Sequence, residues 1–382
     1  MKFRSILIAA NNYPTTTDPV MTFVEQLVIA MSKKGVKVTV IAPFRIVQHY
    51  VRGTELHPRV RKIEVDGGEP ITVVQPRYIT LGGRFEKFNL WSAKRAVCKA
   101  AKRLEEKPDV CYGYFWHWAY SLYPFACKNH IPLFSNTSET PILLTDIYPA
   151  NDISGFIRYV KGVVCASSYC RDQSVERELT TANECMVIPN AIDNKLFLQK
   201  NRESLRRERG FSLSDFIVAY TGWYSPKKGY DRLSQAITKL NDSHIKSFFI
   251  GDDRGEGNQP TCEGILHRGR LPHNVIPDWL NMADIFVLPT LHEGCCNAII
   301  EAMACGLPIV SSNLPFNWDV LNDNNSILIN PMNIDEIAEA IRILKEDPVK
   351  RDAMSKASLE TASNLTIDKR VDKIFSFIES KL

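Results

Sequence analysis

The chain has 382 residues, 45% of them apolar and 24% charged, which is the composition of a soluble protein with enough apolar mass for two cores of ~150–200 residues each. No apolar run approaches the ~18 residues of a membrane span, and Asn11, Asn12 and Pro14 cut short the one segment near the start that resembles a signal peptide. Ten cysteines without a C-x-x-C pair describe a reduced, cytoplasmic chain with neither a disulfide framework nor a zinc site, and a net charge of +4 without a recognised module argues against a nucleic-acid binder.

Short apolar strands alternate with helical periodicity from end to end, which predicts an α/β protein with mostly parallel sheets. The first half reads as strands at 5–10, 36–42, 72–75, 110–113, 133–136, 162–166 and 186–188. Its helices read at 20–34, 90–106, 119–129 and 169–179. The second half reads as strands at 217–221, 247–250, 265–268, 285–288, 309–311 and 327–329, with helices at 231–240, 275–281, 297–305 and 334–345. The polar run 194–214 reads as the connection between the halves. This gives a first domain over 1–193, a second over 194–365, and a closing helix over 366–382 that packs back toward the first.

Charge is unevenly spread. Residues 1–190 hold 24 Lys/Arg and 17 Asp/Glu, the remainder 23 and 26. Part of the excess lies in Arg84–Lys107, where basic residues interleave with Phe85, Phe88, Leu90, Trp91, Val97 and Leu104. Such a segment suits contact with an anionic membrane surface, or a helix packed on a sheet with a solvated basic face.

The richest stretch is TLHEGCCNAIIEAMACGLPIVSS, Thr290–Ser312. Glu293 and Glu301 lie eight residues apart across the start of a helix, a span of ~12 Å that returns to nearly the same face. Gly294, Cys295, Cys296 and Asn297 form the turn into that helix. A helix N-terminus behind a strand directs backbone N–H groups and a positive dipole end at an anion. The flanking residues are small or apolar, and a carboxylate on so buried a helix needs a partner. Asp252-Asp253 lacks the D-x-D spacing of a metal motif, and GDDRGEG is not a dinucleotide fingerprint.

These residues resemble the E-x7-E signature of retaining glycosyltransferases of family four. VIPNAIDNKLF (187–197) is similar to the family's boundary motif, TGWYSPKKGYDRL (221–233) to its strand–loop–helix, and the opening ILIAANNYP to its first β-α-β unit. The resemblance implies the GT-B fold, two Rossmann-like domains facing across a cleft, and a nucleotide-diphosphate sugar as substrate with no further cofactor and no metal. It implies that Lys228 neutralises the departing diphosphate, with Lys227 beside it as the spare, that Glu293 orients the sugar, and that Glu301 binds the ribose hydroxyls. Gly294, Cys295, Cys296, Asn297 and Gly222 would line the donor site. Three positions depart from the family. Trp223 stands where an Arg is usual, Asp18-Pro19 where a Gly pair is usual, and SNTSET (135–140) replaces a frequent His, leaving Glu139 or His117 as the polar candidate. The expected activity is transfer of a hexose-type sugar to a glycan or lipid-linked acceptor in surface polysaccharide assembly. A nucleotide-sugar epimerase of the same fold and a non-catalytic nucleotide-sugar binder are the alternatives.

Overall fold

The computed structural model describes residues 2–14, 21–53, 56–253 and 255–382. The chain divides into two compact units, Met1–Ile188 with Arg370–Leu382, and Pro189–Lys369. Both are Rossmann-like α/β units built on largely parallel sheets.

In the first unit, β1 (Ser5–Ala9), β2 (Lys37–Ile41), β3 (Val60–Ile63), β4 (Ile71–Val74), β5 (Val110–Tyr114), β6 (Leu133–Thr137), β7 (Val160–Cys165) and β8 (Cys185–Val187) form one sheet in the order β8-β7-β6-β5-β1-β2-β4-β3. Only β3 runs antiparallel, pairing Val60 with Val74 and Lys62 with Thr72. Its RVRKIEV sequence mixes a charge into nearly every other position, as an edge strand with a wet face allows, and it gives no apolar run to find. Both faces of the central strands are covered: β1, β5 and β6 are buried almost throughout. Helices α1 (Thr22–Lys33), α2 (Glu86–Ala101) and α3 (Trp116–Asn129) pack against this sheet. α2 buries Ala93, Val97, Ala100 and Ala101, small residues that allow it close to the sheet. α3 crosses β5 at Gly113, where a Cβ would stand 2.1 Å from the backbone nitrogen of Ala119. No larger residue fits that crossing.

The second unit holds β9 (Phe216–Thr221), β10 (Ile245–Ile250), β11 (Ile265–Gly269), β12 (Ile285–Leu288), β13 (Ile309–Ser312) and β14 (Ser326–Ile329) in the order β11-β10-β9-β12-β13-β14, all parallel. The order reverses between β9 and β12, so their carboxyl ends flank a topological switch point, where open α/β sheets bind ligands. Helices α4 (Tyr230–Leu240) and α5 (Asn297–Ala304) follow those two strands. The run expected as a bare connection contains a helix, Arg202–Glu208, that belongs to this unit's body. Its Arg206 is 3% exposed and bonds Asp284 Oδ2 at 2.7 Å, while Asp284 accepts from the backbone of Ile217 at the root of β9. A buried charge held by a partner looks in sequence like one more solvated Arg, which hid the helix. The last helix, α6 (Ile367–Lys381), carries Arg370–Leu382 into the first unit, where Phe375 meets Phe3 edge-on at 5.2 Å and Phe377 meets Phe134 at 6.3 Å.

Candidate active site

The loops after β9 and β12 are tied to each other before any functional side chain is considered. Leu291 N donates to Lys227 O at 2.8 Å, and Arg232, in the first turn of α4, donates to Pro226 O and Pro289 O, each at 2.8 Å. Gly229 makes the approach possible. It sits at φ 78°, and a Cβ there would lie 2.3 Å from Pro289 O. Gly222 and Gly251 make a second close approach, since a Cβ on Gly251 would fall 1.8 Å from Gly222 O. The strand-end backbones are thus packed as tightly as glycine permits.

On this platform Lys228 Nζ donates to Glu293 Oε1 at 2.5 Å, and Thr290 Oγ1 donates to the same oxygen at 2.9 Å. The lysine is 22% and the glutamate 12% exposed. Burial works against the Lys228 ammonium, but Cys296 and Glu293 beside it win, and its pKa stands above the ordinary lysine value. The cation is therefore kept charged and, in this state, is held by a carboxylate. A diphosphate arriving here would exchange one anionic partner for another.

Gly294–Asn297 turn from that pair into α5. Cys295 and Cys296 are 8% and 7% exposed, so both are buried. Burial, and then Glu293, pushes the Cys296 thiol up to about 12, which keeps it a neutral thiol. Asn190, from the boundary motif, braces the turn by donating to Cys295 O at 3.0 Å and to Asn297 Oδ1 at 2.9 Å. About one turn along α5, Glu301 contacts His273 Nε2 at 3.3 Å. That hydrogen bond, against the opposing effect of burial, raises the His273 pKa. His273 also packs on Phe197 at 5.2 Å.

Trp223 occupies the position expected for an Arg and is 37% exposed. Its carbonyl accepts from the Tyr220 hydroxyl at 2.7 Å, and the Arg270 guanidinium lies over its ring at 5.3 Å. Arg270, at the end of β11, also pairs with Asp252. The loop cluster therefore contains a guanidinium after all, delivered by a different strand.

Of the expected site residues, Lys227, Lys228, Gly222, Trp223, Glu293, Gly294, Cys295, Cys296, Asn297 and Glu301 all lie at the carboxyl ends of β9 and β12 or on the helix that follows. Asp18 lies outside the described residues. Glu139 and His117 belong to the first unit, both beside the start of α3. Glu139 Oε1 accepts from Trp116 N at 3.1 Å, capping a helix whose preceding residue, Phe115, is held at φ 84°. Burial pushes the Glu139 carboxyl up to about 7 against that one hydrogen bond. His117 stacks on Tyr148 at 6.1 Å, and burial, then the nearby Lys94, lowers its pKa to about 4. Sequence reading passed over Asn190, Arg232, His273, Thr290 and Arg270. Asn190, Arg232 and Thr290 stood inside the stretches already singled out; His273 and Arg270 carried no signal beyond following a strand.

Residues 201–361 match the family described as Glycosyl transferases group 1, so the second unit is a group 1 glycosyltransferase domain and the chain, with its two Rossmann-like units, is a glycosyltransferase of GT-B fold. Among its relatives is the Bacillus subtilis protein TuaC, named as a teichuronic acid biosynthesis glycosyltransferase, 25% identical with 93% of each chain covered. An Escherichia coli UDP-Gal:alpha-D-GlcNAc-diphosphoundecaprenol alpha-1,3-galactosyltransferase is 27% identical over 56% of this chain and 58% of its own. Among solved structures, Anabaena HepE in complex with UDP-glucose superposes with a TM-score of 0.70 at 17% identity, covering 98% of this chain and 99% of its own. Sucrose-phosphate synthase of Thermosynechococcus elongatus reaches 0.77 at 14%, covering 99% and 98%.

Proposed function

We propose that this glycosyltransferase moves a hexose-type sugar from a nucleotide-diphosphate donor to a glycan or lipid-linked acceptor in surface polysaccharide assembly, with retention of anomeric configuration and without a metal. The observation that carries this reading is the Lys228–Glu293 pair at the switch point, with Glu301 about one turn along the adjoining helix. Lys228 neutralises the diphosphate as it leaves, aided by the N-terminus of α5. Glu293, released from the lysine, is free to orient the sugar hydroxyls. Glu301 exchanges His273 for the ribose diol. The transition state is oxocarbenium-like, and no protein nucleophile is required when the departing diphosphate accepts the proton of the acceptor hydroxyl. Arg270 is the second cation for the phosphates, in place of the Arg that Trp223 replaces. Glu139, with its raised pKa, is the first-unit group suited to hold or pass a proton. The relatives named for teichuronic acid and for a diphosphoundecaprenol acceptor support the polysaccharide setting.

The reading also includes peripheral contact with the inner face of a membrane, on the Arg84–Lys107 segment. Among the described residues no helix is long and apolar enough to cross a membrane. What supports contact is exposure of Phe85, Phe88 and Trp91, apolar groups set among Arg84, Lys87 and Arg95.

The test is thermal stabilisation of the purified protein by UDP-, GDP-, ADP- and CMP-sugars, without metal and then with Mg²⁺. A metal-independent shift by one nucleotide class, lost in Glu301→Ala, is the expected result. A chain that binds none of them is not a nucleotide-sugar enzyme through this site. The anomeric configuration of the product, read by NMR, decides retention.

A further inference from the structure

The first unit contains a second built site away from the donor-binding loops. A cavity of about 740 Å³ opens between helix α2 and the two outermost strands of the sheet. α2 packs on β2, and the trough lies beside it over the outer strands. The cross-strand row Thr39–Thr72–Lys62 and the neighbouring pair Val74–Val60 continue past the helix and stay open, so the trough has a sheet floor and a helical wall. Its volume is that of a small-molecule site.

The chemistry of the lining is one-sided. Lys99, Arg103 and Lys107 come from α2 and its exit, and Arg59 and Lys62 from the edge strand and its approach. Lys37 and Arg77 bring the cations to seven, against two carboxylates, Glu105 and Glu106. Glu106 is taken by Lys37 in an ion pair, which leaves the remaining cations with a single opposing carboxylate among the lining residues. Walls of low dielectric concentrate such a field toward whatever enters. Below the cations the surface is largely aliphatic, with Ile6, Val74, Ala96, Ala100 and Leu104 beside the hydroxyls of Thr39 and Thr72. None of the lining residues is aromatic, so a base or a sugar ring finds no face to stack on. Cationic rim and aliphatic floor together describe the two ends of one ligand class: a phosphate with a hydrocarbon tail.

We infer that this cavity seats the phosphate headgroup of an anionic phospholipid, with the first methylenes of its chain on the aliphatic floor. Guanidinium forks at Arg103, Arg59 and Arg77 suit phosphate oxygens, and the lysines add point charge. The inference rests on the membrane-contact part of the function proposed above only for its source of lipid; the transfer reaction plays no part in it.

The experiment titrates the full chain by calorimetry with dihexanoyl-phosphatidylglycerol, dihexanoyl-phosphatidylcholine, inorganic diphosphate and heparin. The first binds, and the zwitterionic lipid binds at least tenfold more weakly. Lys99→Glu/Arg103→Glu lowers affinity for the anionic lipid at least tenfold. Both side chains are exposed, so the variant is expected to fold, as circular dichroism checks. Lys128→Glu/Lys161→Glu, exposed basic positions of the same unit outside both the cavity and the Arg84–Lys107 segment, changes affinity less than threefold. Equal losses in the two variants overturn the inference in favour of diffuse charge. Inorganic diphosphate binding as tightly as the lipid, and losing that affinity in Lys99→Glu/Arg103→Glu, overturns the lipid source, and heparin outcompeting the lipid points to a polyanionic chain instead. Phosphatidylglycerol vesicles failing to bind while the short-chain lipid still does would remove the membrane-contact reading and leave the cavity standing.

Discussion

At the scale of single residues, the site is a set of charges whose partners are already chosen. Lys228 and Glu293 hold each other, Thr290 steadies the glutamate, and His273 holds Glu301. In the proposed function a substrate displaces these bonds, so each side chain is positioned before binding and released by it. Lys228→Ala is expected to lower kcat/KM by roughly 100-fold or more, the scale of losing one transition-state donor, with the loss in kcat. Glu293→Gln keeps the shape and the hydrogen bond from Thr290, and should raise donor KM more than it lowers kcat. Steady-state kinetics on the two variants separate the roles, and unchanged turnover in Lys228→Ala would remove the lysine from the chemistry.

Glu139 gives a prediction with a sign. Its carboxyl is ordinary near 4.5 in the unfolded chain and stands at about 7 when folded. The unfolded state therefore loses its proton first, and stability falls as pH rises from about 4.5 to 7. Above that window the cost levels off at an order of ~3 kcal/mol. Glu139→Gln retains an acceptor for Trp116 N and does not titrate. Its melting temperature should gain on that of the parent chain between pH 5 and pH 8 and run parallel outside that window. Parallel curves throughout would mean that the carboxyl is not raised.

At the scale of elements, the loops after β9 and β12 behave as one piece because of Gly229. Gly229→Ala forces a Cβ against Pro289 O and puts an L-residue at φ 78°, so we expect a loss of at least ~2 kcal/mol in stability. Activity should fall further than stability alone explains, because Lys228 is the next residue. Chemical denaturation together with kinetics at a temperature where the variant is folded tests both parts.

The same loops show what could be read in advance. Motifs with a period or a spacing were legible: the E-x7-E pair, the strand–turn–helix around Lys228, and the parallel alternation of both sheets. Three kinds of feature were not. Arg206 and Arg232 look like surface charges until their partners from 57 to 78 residues away are known. The edge strand β3 lacks an apolar run because one side of it faces the basic trough. Arg270 has no motif at all, and only the sheet order brings β11 into the same row of loops as β9. Long-range pairing decides each of these, and sequence spacing does not carry it.

At the scale of the whole molecule, the first unit is made of two segments separated by the whole of the second. Arg370 Nη1 donates to Ile188 O at 2.9 Å, Lys34 pairs with Asp372 at 2.6 Å, and the Phe375 and Phe377 rings lie 5% and 7% exposed in this unit. Each buried Phe→Ala change costs about 3–5 kcal/mol, against a total stability of ~5–15 kcal/mol for a typical domain. Phe375→Ala/Phe377→Ala is therefore expected to bring the first unit close to unfolding while the second keeps its own transition. Calorimetry that shows one low and one unchanged endotherm supports this; a single transition shifted as a whole would mean the two units do not unfold separately.

The discontinuity also sets an order on synthesis. A ribosome delivers the eight-strand sheet first, but the residues that close over Phe3 and Phe134 follow only after Lys369 has been made. The second unit is one continuous stretch and has everything it needs as soon as it emerges. The half translated first is therefore completed last. For the whole time the other half takes to be made, it shows an open aromatic seam to any chaperone near the exit tunnel.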